Sequence, residues 1–531
     1  MARSTSSRPS PTRRRFLGIG TASAAAVALG TGLFSAEPAR AGNTVSGYPF
    51  ALGVASGEPR HNGVVLWTRL APEPLAPDGR GGMDDREVTV YYQVATDEDF
   101  RRVVREGSAT ASPELAHSVH PEVSGLRPDR EYFYRFGALG EISPVGRTRT
   151  APPPGSLPSR LEFGFVSCQN WNDGHYTAYR HLADEDLAVV LHLGDYIYEN
   201  PANGGIRQVE VPDHLKAETV TLEQYRSRYS LYKTDPDLRA AHERFPWIVT
   251  PDDHEVDNNW AGEFSQDAGV TPERFLRRRA AAFQAYYENL PLRRDSMPIG
   301  PNMSLHRRLP WGRLADFTML DTRQYRDDQA CGDGLTATCE DRFAPGRSVL
   351  GEAQRDWLVE GFANSPARWH VLGNQMPMLQ TDVDSGPDTR VWMDAWDGYV
   401  AERDEVLAAA VREGVRNLVV LTGDRHQNYA ADLKADYTDP DSATVGTEFV
   451  GTSISSSRDG QDLGPQGEEM LAANPHLRFV NEQRGYVRCT VTPRRWETDF
   501  RVLPYVTRPD APVSTRASLL VEDGRPGVLT D

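Results

Sequence analysis

The alternation of apolar and polar positions changes character near residue 150. Between about residues 46 and 150 the apolar positions fall in short runs, Val64–Thr68, Val88–Val94 and Tyr132–Phe136, with turn residues between them. β-branched and aromatic side chains bounded by turn formers read as strands. Their spacing predicts an all-β immunoglobulin- or fibronectin-like sandwich over residues 42–152. The Pro-rich stretch Ala151–Pro158 reads as a linker. Beyond it, short apolar runs alternate with helical stretches. That is the pattern of an α/β domain of layered sheet and helix, here residues 153–505, with 506–531 a C-terminal tail.

Six apolar runs of the second region are each followed within a few residues by a polar cluster. The runs are Leu161–Ser167, Leu187–Leu193, Phe245–Val249, Phe317–Leu320, Trp369–Leu372 and Leu418–Leu421. The clusters are Cys168, Asp195, Asp252-Asp253-His254-Glu255, Asp321-Thr322-Arg323, Asn374-Gln375 and Asp424-Arg425-His426. Sites in such sheets form outside the carboxyl ends of strands, so six clusters at six exits predict one shared pocket. Loops are polar anyway, which accounts for any single cluster but less well for the recurrence of Asp and His together with Cys and Tyr.

Composition narrows the setting. The net charge of −17 makes binding of extended polyanions such as nucleic acid unexpected, and much of it is explained by solubility alone. Thr12-Arg13-Arg14-Arg15-Phe16-Leu17 is a twin-arginine pattern, followed by a small apolar run to about Phe34 and by Ala39-Arg40-Ala41. Three signal elements in this order predict a cleaved export signal over residues 1–41 and a secreted, extracellular or wall-associated protein that meets the twin-arginine export machinery. The alternative is a basic tail with an uncleaved anchor helix. The run is too short and too rich in Ala and Gly for a membrane span. Four cysteines exclude a disulfide scaffold. Cys331 and Cys339 bracket a loop that suits a disulfide in an oxidising compartment, and Cys489 reads as a buried strand residue.

Each exit motif has its own chemistry. In Gly194-Asp195-Tyr196-Ile197-Tyr198, glycine permits a sharp turn, Asp195 can bridge two cations, and Tyr198 returns a phenol to the same centre. Thr250–Val256 gathers three acids around His254, costly unless a cation or solvent offsets their repulsion. There Asp253 suits a ligand and His254 a general acid, while Asn258 and Asn259 could add amide oxygens to a Ca2+ shell. Asp424 and His426, two apart in an extended loop, can reach one metal pair. A solvated turn is the plain alternative for each motif alone.

Taken together, Cys168, Gly194-Asp195-x-x-Tyr198, Asp253-His254-Glu255, Gln375-Met376-Pro377 and Gly423-Asp424-Arg425-His426 resemble the calcineurin-like metallophosphoesterase core. More closely, they are similar to the PhoD-like alkaline phosphatase and phosphodiesterase family, over about residues 46–500. Relative to the wider superfamily, Cys168, Asp253, Asp424 and Gln375 stand where other donors are usual. These exchanges favour harder cations over Zn2+. The resemblance implies Fe3+ and Ca2+, with Cys168, Asp195, Tyr198 and His426 on the iron side and Asp195, Asp253, Asn258 and Asp424 on the calcium side. It leaves the shares of Asn258, Asn259 and Gln375 open.

A phosphate-binding arginine is expected as well. Thr271-Pro272 reads as the start of a helix to about Leu290, with an apolar stripe through Phe275, Ala282, Phe283, Tyr286 and Leu290. Arg278 and Arg279 fall on that stripe, either as structural ion pairs or as a clamp on phosphate. Arg323 and Arg326 could brace carboxylates. The expected function is metal-dependent hydrolysis of phosphomonoesters and phosphodiesters, including phospholipid or teichoic-acid-like diesters. A phospholipase D-type enzyme and a Ca2+-binding adhesion protein with an inactive second domain are the alternatives.

Overall fold

The structure is a computed structural model that describes residues 46–439 and 441–529. The export-signal reading of 1–41 lies outside the described residues.

All six predicted runs are strands. Leu161–Val166, Val189–His192 and Pro246–Val249 pair in parallel, and so do Ala315–Met319, Trp369–Asn374 and Leu418–Thr422. They read as unbroken apolar runs because both faces are covered. The first three lie in an eleven-stranded sheet and the second three in a seven-stranded sheet. The two sheets share a core in which Phe163, Leu191 and Ile248 meet Phe317, Val371 and Val419. Helices cover the outer faces. Phe275, Phe283 and Tyr286 pack in the core that includes Val190 and Trp247, and Leu358, Leu407 and Met470 in the one that includes Leu372 and Val420. The layered α/β reading therefore holds, with two sheets rather than one.

Two boundaries differ from expectation. Val54–Arg60 and Gly63–Arg69 lie in the eleven-stranded sheet, where Val54–Arg60 runs parallel to Pro246–Val249. Their other partner is a five-stranded sheet built on Val88–Ala95, Val103–Ala111 and Glu131–Ala138, with which they share a core of Val54, Val64, Leu66, Val90, Val94 and Tyr134. The N-terminal strands are thus continuous with the sheet of the second region. The predicted tail carries two strands, Ser514–Glu522 and Arg525–Leu529, that extend the same sheet beyond Arg495–Leu503. The residues alternate as an edge strand should, but only tertiary pairing shows which edge they join.

Cys331 and Cys339 form a disulfide, and Cys489 is buried in the strand Arg484–Val491. The helix Pro272–Asn289 begins as expected, with the Thr271 hydroxyl accepting from the Arg274 backbone N–H. Arg278 and Arg279 are buried on its inner face and Arg277 is exposed.

Candidate metal centre

The strand exits converge. Donor atoms of Cys168, Asp195 and His426 lie within 4.8 Å of one another, and so do those of Asp195, Asp253 and His254. Asp195 belongs to both groups. The Tyr198 hydroxyl donates to Asp195 Oδ2 at 2.9 Å and lies 3.1 Å from His426 Nε2.

The backbone is bent to achieve this. Cys168, Asp195, Asp424 and His426 have φ of 58°, 59°, 63° and 55°. A left-handed conformation costs a non-glycine residue about 1 kcal/mol or more, so its recurrence at four predicted ligands marks a site held by its surroundings. Gly194, with φ 109°, makes room for the turn, since a Cβ there would lie 2.3 Å from the Asp252 Cβ. Gly194→Ala is therefore expected to destabilise the protein by more than about 1 kcal/mol and to lower turnover with it. A urea midpoint and kcat equal to the parent's would contradict this packing.

Acid side chains hold the turns. Glu255 accepts the backbone N–H groups of Asp195, Tyr196 and Asp252. Arg323, buried, donates to Asp252 Oδ1 at 2.6 Å and Asp394 Oδ1 at 2.9 Å and lies 3.8 Å from Asp253 Oδ2. Arg326 also reaches Asp394. Both arginines brace carboxylates. The Gln375 amide is fully used: its oxygen accepts from the Thr322 N–H and hydroxyl, and its nitrogen donates to the Thr250 hydroxyl and the Leu320 carbonyl. It is a brace and holds no free donor for a cation.

Burial pushes the Cys168 thiol and the Tyr198 phenol well above their ordinary values, and neighbouring Asp195 adds to both. Burial also raises Asp195 well above the carboxylate range and Asp424 to about 6. Despite its burial, Asp253 is held low, chiefly by Arg323 and His254. Asp195 Oδ1 and Asp252 Oδ2 are buried with no hydrogen-bond partner. A cation offsets such burial and ionises thiol, phenol and carboxylate together, so the donor set fits a metal centre.

Other predicted residues stand apart. The Asn258 amide donates to Gln266, and Asn259 to Asp333, while the Asn259 backbone N–H holds Asp253 Oδ2 at 2.8 Å. Arg279 donates three of its five N–H groups to the Gly262 and Pro301 carbonyls and to Asn302. Arg278 donates to the Tyr225 hydroxyl and pairs with buried Asp257 at 3.1 Å and with Glu218 at 2.7 Å. Glu218 is 46% exposed and so is an exchangeable partner.

Three side chains escaped the sequence reading. Glu199 Oε2 lies 2.7 Å from His254 Nδ1, and its Oε1 accepts from the Asn258 backbone N–H. It directly follows Tyr198, which was the available signal. The Ser456 hydroxyl bridges the Tyr198 hydroxyl at 2.8 Å and the Cys168 carbonyl at 2.7 Å, and Ser457 contacts His426 Nδ1 at 2.8 Å. Both serines follow the strand Thr444–Val450, a seventh polar strand exit.

Comparison with known proteins settles the family. Residues 163–500 match the PhoD-like phosphatase model, and residues 36–152 match the model of the PhoD-like phosphatase N-terminal domain. The chain belongs to the PhoD-like phosphatase family. It is 48% identical over 484 residues to alkaline phosphatase D of Bacillus subtilis strain 168, covering 91% of this chain and 82% of that protein. A solved structure described as the structure of PhoD superposes with a TM-score of 0.87 at 48% identity, over 91% of this chain and 92% of the other. This PhoD-like phosphatase is accordingly a phosphoester hydrolase. No helix among the described residues is long and apolar enough to cross a membrane.

Proposed function

We propose that this phosphatase is exported by the twin-arginine route and, with a cluster of Fe3+ and Ca2+, hydrolyses phosphodiesters to monoesters and releases phosphate from phosphomonoesters. The observation that carries the reading is the shared carboxylate of Asp195 between two donor groups. Cys168, Tyr198 and His426 would hold the iron with Asp195. Asp253 and Asp424 would hold calcium with it, with Asn258 as a further oxygen ligand. Phenolate and carboxylate oxygens are hard donors, which supports hard cations over Zn2+. Cations there would polarise the phosphoryl oxygens and lower the pKa of water.

The chain's own residues do the rest. Burial opposes a charged imidazole at His254, but Glu199, Asp253 and Asp195 hold it well above its ordinary value, so it stays a proton donor for the leaving oxygen. Glu199 fixes the ring through Nδ1, and the Tyr198 ring lies 4.1 Å away. Arg278 is the candidate for neutralising charge on phosphate, by exchanging exposed Glu218 for substrate. Residues 42–152 would form a β-sandwich that shares the strands Val54–Arg60 and Gly63–Arg69 with the catalytic sheet.

Glu199→Gln removes the charge that orients and protonates His254. Turnover is expected to fall about 10- to 100-fold. A depressed His254 pKa should also move the alkaline limb of the kcat profile to lower pH. A profile that keeps its shape would assign Glu199 a structural role only. The metal assignment is tested on natively exported protein by metal analysis and visible absorbance, since phenolate or thiolate on Fe3+ absorbs visible light. Colourless, iron-free, active enzyme overturns it. Mature protein beginning after Ala41 would support the export reading.

A further inference from the structure

The chain carries a net charge of −17, yet one groove on its N-terminal sheet is walled by arginine. The groove, about 850 Å³, lies where the strand Val103–Ala111 faces the segment that follows Glu122–Ser124. Arg102, Arg105, Arg127 and Arg130 line it, with Leu126 and Tyr132 at its apolar wall. All four arginines are exposed, and none pairs with a carboxylate among the described residues. The acids nearby are already engaged. Asp97 accepts the backbone N–H groups of Arg101 and Arg102, Asp129 pairs with Arg149, and Glu131 pairs with Arg147.

Arg105 is built in place. Its guanidinium donates to the Ser124, Val104 and Gly125 carbonyls. A Cβ on Gly125 would lie 2.5 Å from Arg105 Nη2, so the approach needs glycine there, where φ is 71°. Three of five N–H groups are used, and two remain for a ligand. An exposed arginine fixed by carbonyls and left without a counter-charge is preorganised for an anion, and its planar fork suits phosphate.

We infer that this groove is a binding site, separate from the metal centre, for a linear chain of phosphodiesters that holds the enzyme against an anionic polymer. The overall negative charge does not oppose this, because fields between exposed charges are screened beyond about 8–10 Å. Four charges along one groove fit a repeating anion better than a single one.

The test uses the full chain and oligodeoxythymidine of sixteen residues, with its integrity checked after each titration. Affinity is measured against salt for the parent and for the triple variant Arg102→Ala/Arg127→Ala/Arg130→Ala. Four phosphate contacts predict a log–log salt slope of about −3 for the parent, and loss of three should reduce it by about 2. The variant should bind at least tenfold more weakly and hydrolyse p-nitrophenyl phosphate at the parental rate. Unchanged affinity and slope in the variant overturn the site. Equal binding of poly-glutamate overturns the phosphodiester assignment. Displacement of the oligomer by inorganic phosphate at equal phosphate concentration would reduce the groove to a single-anion site and overturn the polymer. Because p-nitrophenyl phosphate turnover reads the metal centre alone, failure of this inference is distinguishable from failure of the catalytic reading.

Discussion

Asp195→Asn is expected to remove at least about 10³-fold of kcat toward p-nitrophenyl phosphate, the equivalent of about 4 kcal/mol. The substitution is isosteric, so the Tyr198 contact to Oδ2 need not move. What changes is charge and donor character. Asp195 Oδ1 is buried without a hydrogen-bond partner, and the carboxylate is common to both donor groups. An amide cannot bridge two cations as a carboxylate does, and its N–H groups repel them. Metal content should therefore fall together with turnover. Stability of the metal-free protein should not fall, because burial already raises the Asp195 pKa and the variant buries no charge. An Asn variant that retained its metals and a tenth of parental turnover would show that the shared-carboxylate geometry is not what hydrolysis depends on.

Arg323→Leu carries the largest expected loss of stability. Its guanidinium is 2% exposed and is placed among Asp252, Asp253 and Asp394. Removing one member of a buried charge network leaves the others uncompensated, at a cost of about 3–5 kcal/mol. Burial pushes Asp252 well above the carboxylate range, and Arg323 is the main group opposing that rise. In the variant Asp252 should stay protonated to higher pH. The deficit in urea midpoint should therefore widen as pH rises above the ordinary carboxylate range and narrow at acid pH. Arg323→Lys should recover only part of the loss, since a point charge cannot serve two carboxylates from one plane. Full recovery by lysine, or a midpoint within experimental scatter of the parent's, would show that the acids find other partners.

The catalytic layers were legible because parallel strands buried on both faces write themselves as continuous apolar runs. Each of the six ends in a polar cluster, and Asp and His recur there together with Cys and Tyr. The six exits could thus be assigned to one pocket from the strand pattern, while Cys168, Asp195, Tyr198, Asp253 and His426 were grouped as ligands by the family resemblance. Gln375 and Arg279 show the limit. The Gln375 amide is filled by Thr322, Thr250 and Leu320, and three of the five Arg279 N–H groups go to Gly262, Pro301 and Asn302, all groups brought by distant strands and loops. Sequence spacing says which face a side chain leaves, not which acceptor reaches it first. Glu199 was hidden for the opposite reason, since an acid beside Tyr198 acquires its role only when His254 arrives from 55 positions away. The sheet margins were hidden likewise, because Val54–Arg60 pairs with the distant strand Pro246–Val249 and Ser514–Glu522 extends the sheet beyond Arg495–Leu503.

That pairing has a consequence for synthesis. The strand Ser514–Glu522 zips onto Arg495–Leu503, in the same sheet that Val54–Arg60 enters through Pro246–Val249. A ribosome delivers the chain from its N-terminus, so this ladder can form only once residues 514–522 have emerged. Until then the Arg495–Leu503 edge waits unpaired. Nascent chains stalled or nicked ahead of residue 514 would keep the Arg495–Leu503 edge open and should collect as aggregates rather than as a shortened enzyme.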